Sequence, residues 1–183
     1  MTASQPQCWQ PVTWDGVENA DLHARIFAEF CSRAIEQLRQ LATLRDEQLD
    51  ATLGNHVNHV GWLLWHAGRQ MDMQLSDISG QPQIWTNFSP ILDLGPLGDT
   101  MGYGHTPAQV HAIRPRNAAV LVEYVDKCLR ATVAYATSLT PESWADIVDD
   151  SWQPPVTRLM RLVSIVDDCT QHLAQALFIA GAG

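Results

Sequence analysis

The stretch His56-Val57-Asn58-His59-Val60-Gly61-Trp62-Leu63-Leu64-Trp65-His66-Ala67-Gly68-Arg69-Gln70-Met71-Asp72-Met73 carries two stripes at once. Val57, Val60, Leu64, Ala67 and Met71 recur at three- and four-residue spacing, which is the seam of an α-helix. His59, Leu63, His66, Gln70 and Met73 form a second, mixed stripe beside it. A helix that is apolar on two sides is buried between neighbours. The pattern predicts a central helix over about 56–76 and a chain built from packed helices.

Three further long helices follow from the same reasoning. Leu22, Ile26, Phe30, Leu38 and Leu41 mark the apolar stripe of a first helix, starting between Asn19 and Asp21 and running to about Leu44. Its wet side is supplied by Arg25, Glu29, Arg33, Glu36 and Arg39. Pro115 opens a third helix to about Ser138, with a core stripe of Leu121, Tyr124, Val125, Cys128, Thr132 and Tyr135. Thr157, after Pro154-Pro155, can cap a fourth helix to about Ala180, whose core side reads Leu159, Leu162, Val166, Cys169, Leu173 and Leu177. Short helices are expected at Thr106-Pro107-Ala108-Gln109, a capping box with proline in the first turn, and after Thr140-Pro141. No segment alternates convincingly as a strand. The expectation is a single all-α domain over 1–183, a four-helix bundle.

Between the second and third helices the periodicity breaks. Five of the ten prolines and five of the eleven glycines fall in 80–115, so the segment is a long Gly/Pro-rich loop rather than one helix. Its content of Ile84, Trp85, Phe88, Ile91, Leu92, Leu94, Leu97 and Tyr103 is too apolar for a disordered linker. An ordered lid or cap is expected, with Trp85 and Tyr103 buried or facing a pocket.

The net charge is −9, from 11 basic and 20 acidic residues, which argues against nucleic acid or anionic lipid as the main partner. No run of residues is long and apolar enough for a membrane span. The first basic residue is Arg25, so a secretory n-region is not seen at the amino terminus. Cys8, Cys31, Cys128 and Cys169 are scattered without a CxxC pair and read as reduced thiols of a cytoplasmic protein.

The residues with chemistry to offer are His66, Asp168 and His172. Asp168 and His172 are four apart, so they share one helix face at roughly 6 Å between Cβ atoms. With His66 from a facing helix they would make a set of two imidazoles and one carboxylate, leaving positions open for water or substrate. A buried carboxylate beside apolar seams is costly, and a cation offsets that cost. Taken singly each motif is weak: a lone histidine in an apolar helix is usually a core residue, and Asp-x-x-x-His is often a plain intrahelical pair. Asp167 points about a quarter-turn away and is the poorer ligand. His59, two turns before His66 at about 10 Å, is too far to share a metal but close enough to line the same pocket. Gln70 on the same stripe, Trp62, Trp85, Tyr103, His105 on the loop, and Gln175 beyond His172 complete the candidate pocket lining. Other chemistries lack their motifs: there is no GxSxG, no GxxxxGK[ST], no GxGxxG after a strand and no HExxH. Cys169 adjoins Asp168, which would raise its pKa rather than activate it.

In helix order and in three segments the chain resembles the DinB-like superfamily of metal-binding four-helix proteins, which includes mycothiol-dependent maleylpyruvate isomerases and bacillithiol transferases. The segments are His59-Val60-Gly61-Trp62-Leu63-Leu64-Trp65-His66, Gly102-Tyr103-Gly104-His105-Thr106-Pro107 and Asp168-Cys169-Thr170-Gln171-His172-Leu173-Ala174-Gln175. The resemblance implies that His66, Asp168 and His172 bind one divalent metal, with zinc or nickel ahead of manganese or iron. It further implies a thiol-dependent transferase or isomerase acting on a small electrophile, with a low-molecular-weight thiol as partner, and a homodimer as in many relatives. Relatives more often carry histidine or glutamate where Asp168 stands, and often glycine where Ala174 stands. Metal-dependent hydrolysis, and a non-catalytic metal- or ligand-binding stress protein, are the alternative readings.

Overall fold

A computed structural model describes residues 13–14 and 16–181; Cys8 lies outside them. Four long helices dominate: α1 (Leu22–Gln40), α2 (Val60–Ser79), α6 (Ala118–Thr137) and α7 (Arg158–Gly181). Between α2 and α6 lie three short ones, α3 (Trp85–Leu92), α4 (Gly95–Gly98) and α5 (Pro107–Ala112). The all-α expectation holds, with one exception. A small antiparallel pair joins β1 (Ile147–Asp149) to β2 (Val156–Thr157), with an irregularity between Ile147 and Asp149. Three and two residues are too few for alternation to show in the sequence. Among the described residues no helix is long and apolar enough to cross a membrane.

Caps set most of the boundaries. The Asp21 carboxylate accepts from the amides of His23 and Ala24 at the start of α1. Thr106 and Gln109 form the expected capping box of α5, Asn117 caps α6, and Thr157 accepts from Met160 N–H at the start of α7. The start of α2 falls four residues later than the periodicity implied. There the His59 ring takes the N-cap position and accepts from Trp62 N–H at 3.1 Å. Val57, placed on the α2 seam by sequence, therefore precedes the helix and is 38% exposed. Gly80, at φ 71°, ends the helix with the left-handed residue that a C-terminal turn favours.

α2 packs against α7 and α6, and α1 packs against the same two. Residues 60–72 of α2 are buried without a break, so this helix is the axis of the molecule. Close approach depends on Gly68, where an added Cβ would fall 2.5 Å from Tyr124 Cε1 on α6.

The first helix corrects one reading. Leu22 and Ile26 are 66% and 61% exposed, and the buried face is instead Ala24, Phe27, Ala28, Cys31, Ala34, Ile35 and Leu38. The three alanines among them let α1 approach its neighbours closely, so this face packs inward and leaves Leu22 and Ile26 outside. Leu159, expected in the α7 core, is likewise 43% exposed, while Leu162, Val166, Cys169 and Leu173 are fully buried as expected. Cys31, Cys128 and Cys169 are free buried thiols, and burial pushes each of their pKa values up. For Cys169 the Asp168 charge adds to that effect.

Candidate metal centre

α2 presents His66 toward the face of α7 that carries Asp168 and His172 one turn apart. One ligand atom from each of the three lies within 4.8 Å of the others. His66 Nε2 is 3.8 Å from Asp168 Oδ2, and His172 Nε2 is 3.5 Å from Asp168 Oδ1. These are longer than good hydrogen bonds, and close to the roughly 3.4 Å between donors arranged tetrahedrally around an ion bound at about 2.1 Å. Asp168 Oδ2 is shut off from solvent and has no hydrogen-bond partner. A buried carboxylate oxygen left unpaired is costly, and a cation between it and two imidazole lone pairs removes the cost. The donor set fits a divalent ion.

Both rings are already oriented for that role. His66 Nδ1–H donates to the Met101 carbonyl, and His172 Nδ1–H donates to Gln175 Oε1 at 3.0 Å. With the protons assigned to Nδ1 by these partners, each Nε2 lone pair faces Asp168. The Trp62 ring stacks on His66 at 4.8 Å and 10° and meets His172 edge-on at 6.4 Å, walling the site on one side.

The electrostatics follow from the same contacts. Burial disfavours the charged form of His66 and holds its pKa below the ordinary histidine value. Burial also works against a charged His172, but the hydrogen bond and charge of Asp168 outweigh it, so this pKa is raised. For Asp168 burial pushes upward, yet the bond from His172 and the positive charge of both histidines hold the carboxyl below its usual range.

The remaining residues expected near the site divide into three groups. Trp62, His105 and Gln175 are there or at its edge. His105 stacks on Trp65 at 5.6 Å, accepts from Trp62 Nε1–H at 3.4 Å, and donates from Nε2 to Thr100 Oγ1 at 3.1 Å. Nδ1 thereby ties the loop to α2, while Nε2 braces the loop internally. Gln175 also lines a cavity of about 340 Å³ with Leu53, His56, Asn58, Leu63, Phe178 and Ile179.

His59, Gln70 and Trp85 are buried but do other work. The His59 ring lies between the carbonyls of Leu49, 3.0 Å from Nδ1, and Val110, 3.3 Å from Nε2. Gln70 ties α2 to α7 by donating to the Ile165 carbonyl at 2.8 Å. Trp85 packs on Tyr124 and donates to Asp99 at 2.8 Å. Tyr103 is a correction: at 89% exposure it neither is buried nor closes a pocket. Gly102 and Gly104, both at positive φ, turn the chain outward around it.

Sequence reasoning missed the buried ion pair of Arg69 and Asp72, 1% and 2% exposed. The signal was available. A helix with no wet side has nowhere to solvate an arginine and an aspartate three residues apart, so they must pair inside.

With this geometry in hand, the comparisons with known proteins are concordant. A family model described as the DinB superfamily matches residues 31–176. A solved structure described as a conserved protein of locus from Enterococcus faecalis is similar at a TM-score of 0.76 and 27% identity, covering 85% of this chain and 94% of that one. No curated protein matches.

Proposed function

The chain belongs to the DinB superfamily, and on that premise we propose that it binds one divalent metal ion through His66, Asp168 and His172 and acts as a thiol-dependent transferase on a small electrophile. The observation that carries the metal reading is the buried, unpartnered Asp168 Oδ2 on a carboxylate flanked by two imidazoles whose Nδ1 protons are committed elsewhere. When bound, the ion would supply a Lewis acid that lowers the pKa of a small thiol or of water. The protein's own part is threefold. Asp168 contributes one negative charge, so the loaded site keeps a net positive charge that favours an anionic fourth ligand. Trp62 shields one side from water. His105 and the loop fix the rim.

Cobalt substitution tests the transferase reading. Small thiols of the kind used by bacterial transferases should add a sulfur-to-cobalt charge-transfer band to the wild-type protein and not to His172→Ala. An unchanged cobalt spectrum at saturating thiol would sink the transferase reading, and turnover without any thiol would favour hydrolysis instead.

Proton linkage gives a second expected result. His172 has the raised pKa and Asp168 the lowered one, so without metal their pair is charged, and stabilising, between those two values. Metal must displace the His172 proton, whereas His66, with its lowered pKa, is already neutral near neutrality. Zinc affinity should therefore fall as pH drops through the raised His172 value. Titration calorimetry in buffers of different ionisation heat should show proton release on binding just below that value. Binding with no proton exchange there would contradict the assignment of His172.

A further inference from the structure

Four consecutive backbone carbonyls, from Gly98 to Met101, each accept a hydrogen bond from a side chain of α2. Trp65 Nε1–H donates to Gly98 O at 3.2 Å, and Arg69 donates to Asp99 O at 2.7 Å and to Thr100 O at 3.1 Å. The fourth is Met101 O, the acceptor for His66 Nδ1–H. The next residue, Gly102 at φ +89°, lies so close that an added Cβ would be 2.8 Å from Trp65 Cζ3 and 3.1 Å from His66 Nδ1. The segment lies flat on α2 like a strap, and one carbonyl of it sets the His66 ring.

Arg69 is the residue best placed to hold that strap. Its guanidinium is 1% exposed and uses every nitrogen: Nε and Nη2 on the strap carbonyls, Nη1 and Nη2 on Gln83 Oε1, and Nη1 on Asp72 and Tyr124. The planar fork lets one side chain fix two adjacent carbonyls at once, which a lysine ammonium on a flexible stem does not reproduce. Arg69 and His66 are also three residues apart on one helix, so both read the same strap from the same face.

We propose that Arg69 is a positioning residue for His66, acting through the Gly98–Gly102 strap to hold the Met101 carbonyl on Nδ1 and so keep the Nε2 lone pair aimed at Asp168. Its effect on affinity rests on the metal reading above. Its effect on the tautomer of His66 does not.

Two measurements on the full chain test this. Long-range proton–nitrogen correlation of the histidine rings in metal-free protein reports which nitrogen of His66 carries the proton, and competition titration with zinc alone reports affinity. Wild-type protein should show His66 protonated at Nδ1. Arg69→Lys should give a mixture of tautomers and a zinc affinity about 10–100-fold lower. Gly102→Ala, whose added Cβ would press the strap and the His66 ring apart with Arg69 untouched, should reproduce both effects. Ile35→Ala, a destabilising core change on α1, should alter neither. Wild-type tautomer and zinc affinity in folded Arg69→Lys and Gly102→Ala would overturn the inference, as would equal effects from Ile35→Ala. If wild-type protein takes up no zinc but the tautomer still shifts in both strap variants, the positioning role stands and the metal reading fails.

Discussion

His172→Ala is expected to abolish stoichiometric metal uptake while leaving the helical signal intact. Wild-type protein should carry about one divalent ion per chain, and His66→Ala should behave as His172→Ala does. Each substitution removes one of three donors, and the affinity loss should reach at least about 1,000-fold, or ~4 kcal/mol. The fold should survive because the α7 core is carried by Leu162, Val166, Cys169 and Leu173, all fully buried, and not by His172. Asp168→Glu, by contrast, should keep the ion, since the added methylene lengthens the reach of a carboxylate that retains its charge. Elemental analysis after dialysis, with equilibrium competition for the residual affinity, reads all four proteins. Full metal content in both alanine variants would remove this site from consideration.

Asp72→Ala should cause the largest loss of stability of any single polar substitution. Asp72 accepts from the amides of Ile84 and Trp85, from Tyr124 OH at 2.9 Å, and from Arg69 at 3.4 Å. Removing it uncaps α3 and leaves a buried guanidinium without its counter-charge. Breaking a buried pair from one side costs about 3–5 kcal/mol. For a chain of this size that corresponds to a fall in Tm of roughly 10 °C. Replacing both partners, Arg69→Met with Asp72→Leu, should recover part of the loss, because no charge is then stranded. Chemical denaturation of the single and double variants completes the cycle. A cost below about 1 kcal/mol for Asp72→Ala would mean that water reaches this pair and that it does not hold the loop.

How far the site could be read without coordinates depended on the kind of contact. Asp168 and His172 are neighbours by helical geometry alone, and His66 was marked by its place on a second, mixed stripe of a helix with no wet face. The orientation of the His66 ring was not readable, because its acceptor, the Met101 carbonyl, lies thirty-five residues away, whereas Gln175, which orients His172, is within one turn on the same helix. Tyr103 shows the opposite error. An aromatic residue between glycines suggested a lid, but the left-handed turns at Gly102 and Gly104 direct it into solvent.

The sequence by itself determined the helical class, the four long helices, the caps at Thr106 and Thr157, and the placing of Asp168 and His172 on one helix face. Each of these rests on periodicity or on contacts within one turn, where spacing fixes geometry. Only the tertiary structure decided the inward face of α1, the capping role of His59, the strap of carbonyls along α2, and the buried Arg69–Asp72 pair. Those depend on how closely two backbones approach and on which distant carbonyl meets which donor. Spacing along one chain does not encode either quantity, because both are set by packing among helices that are far apart in sequence.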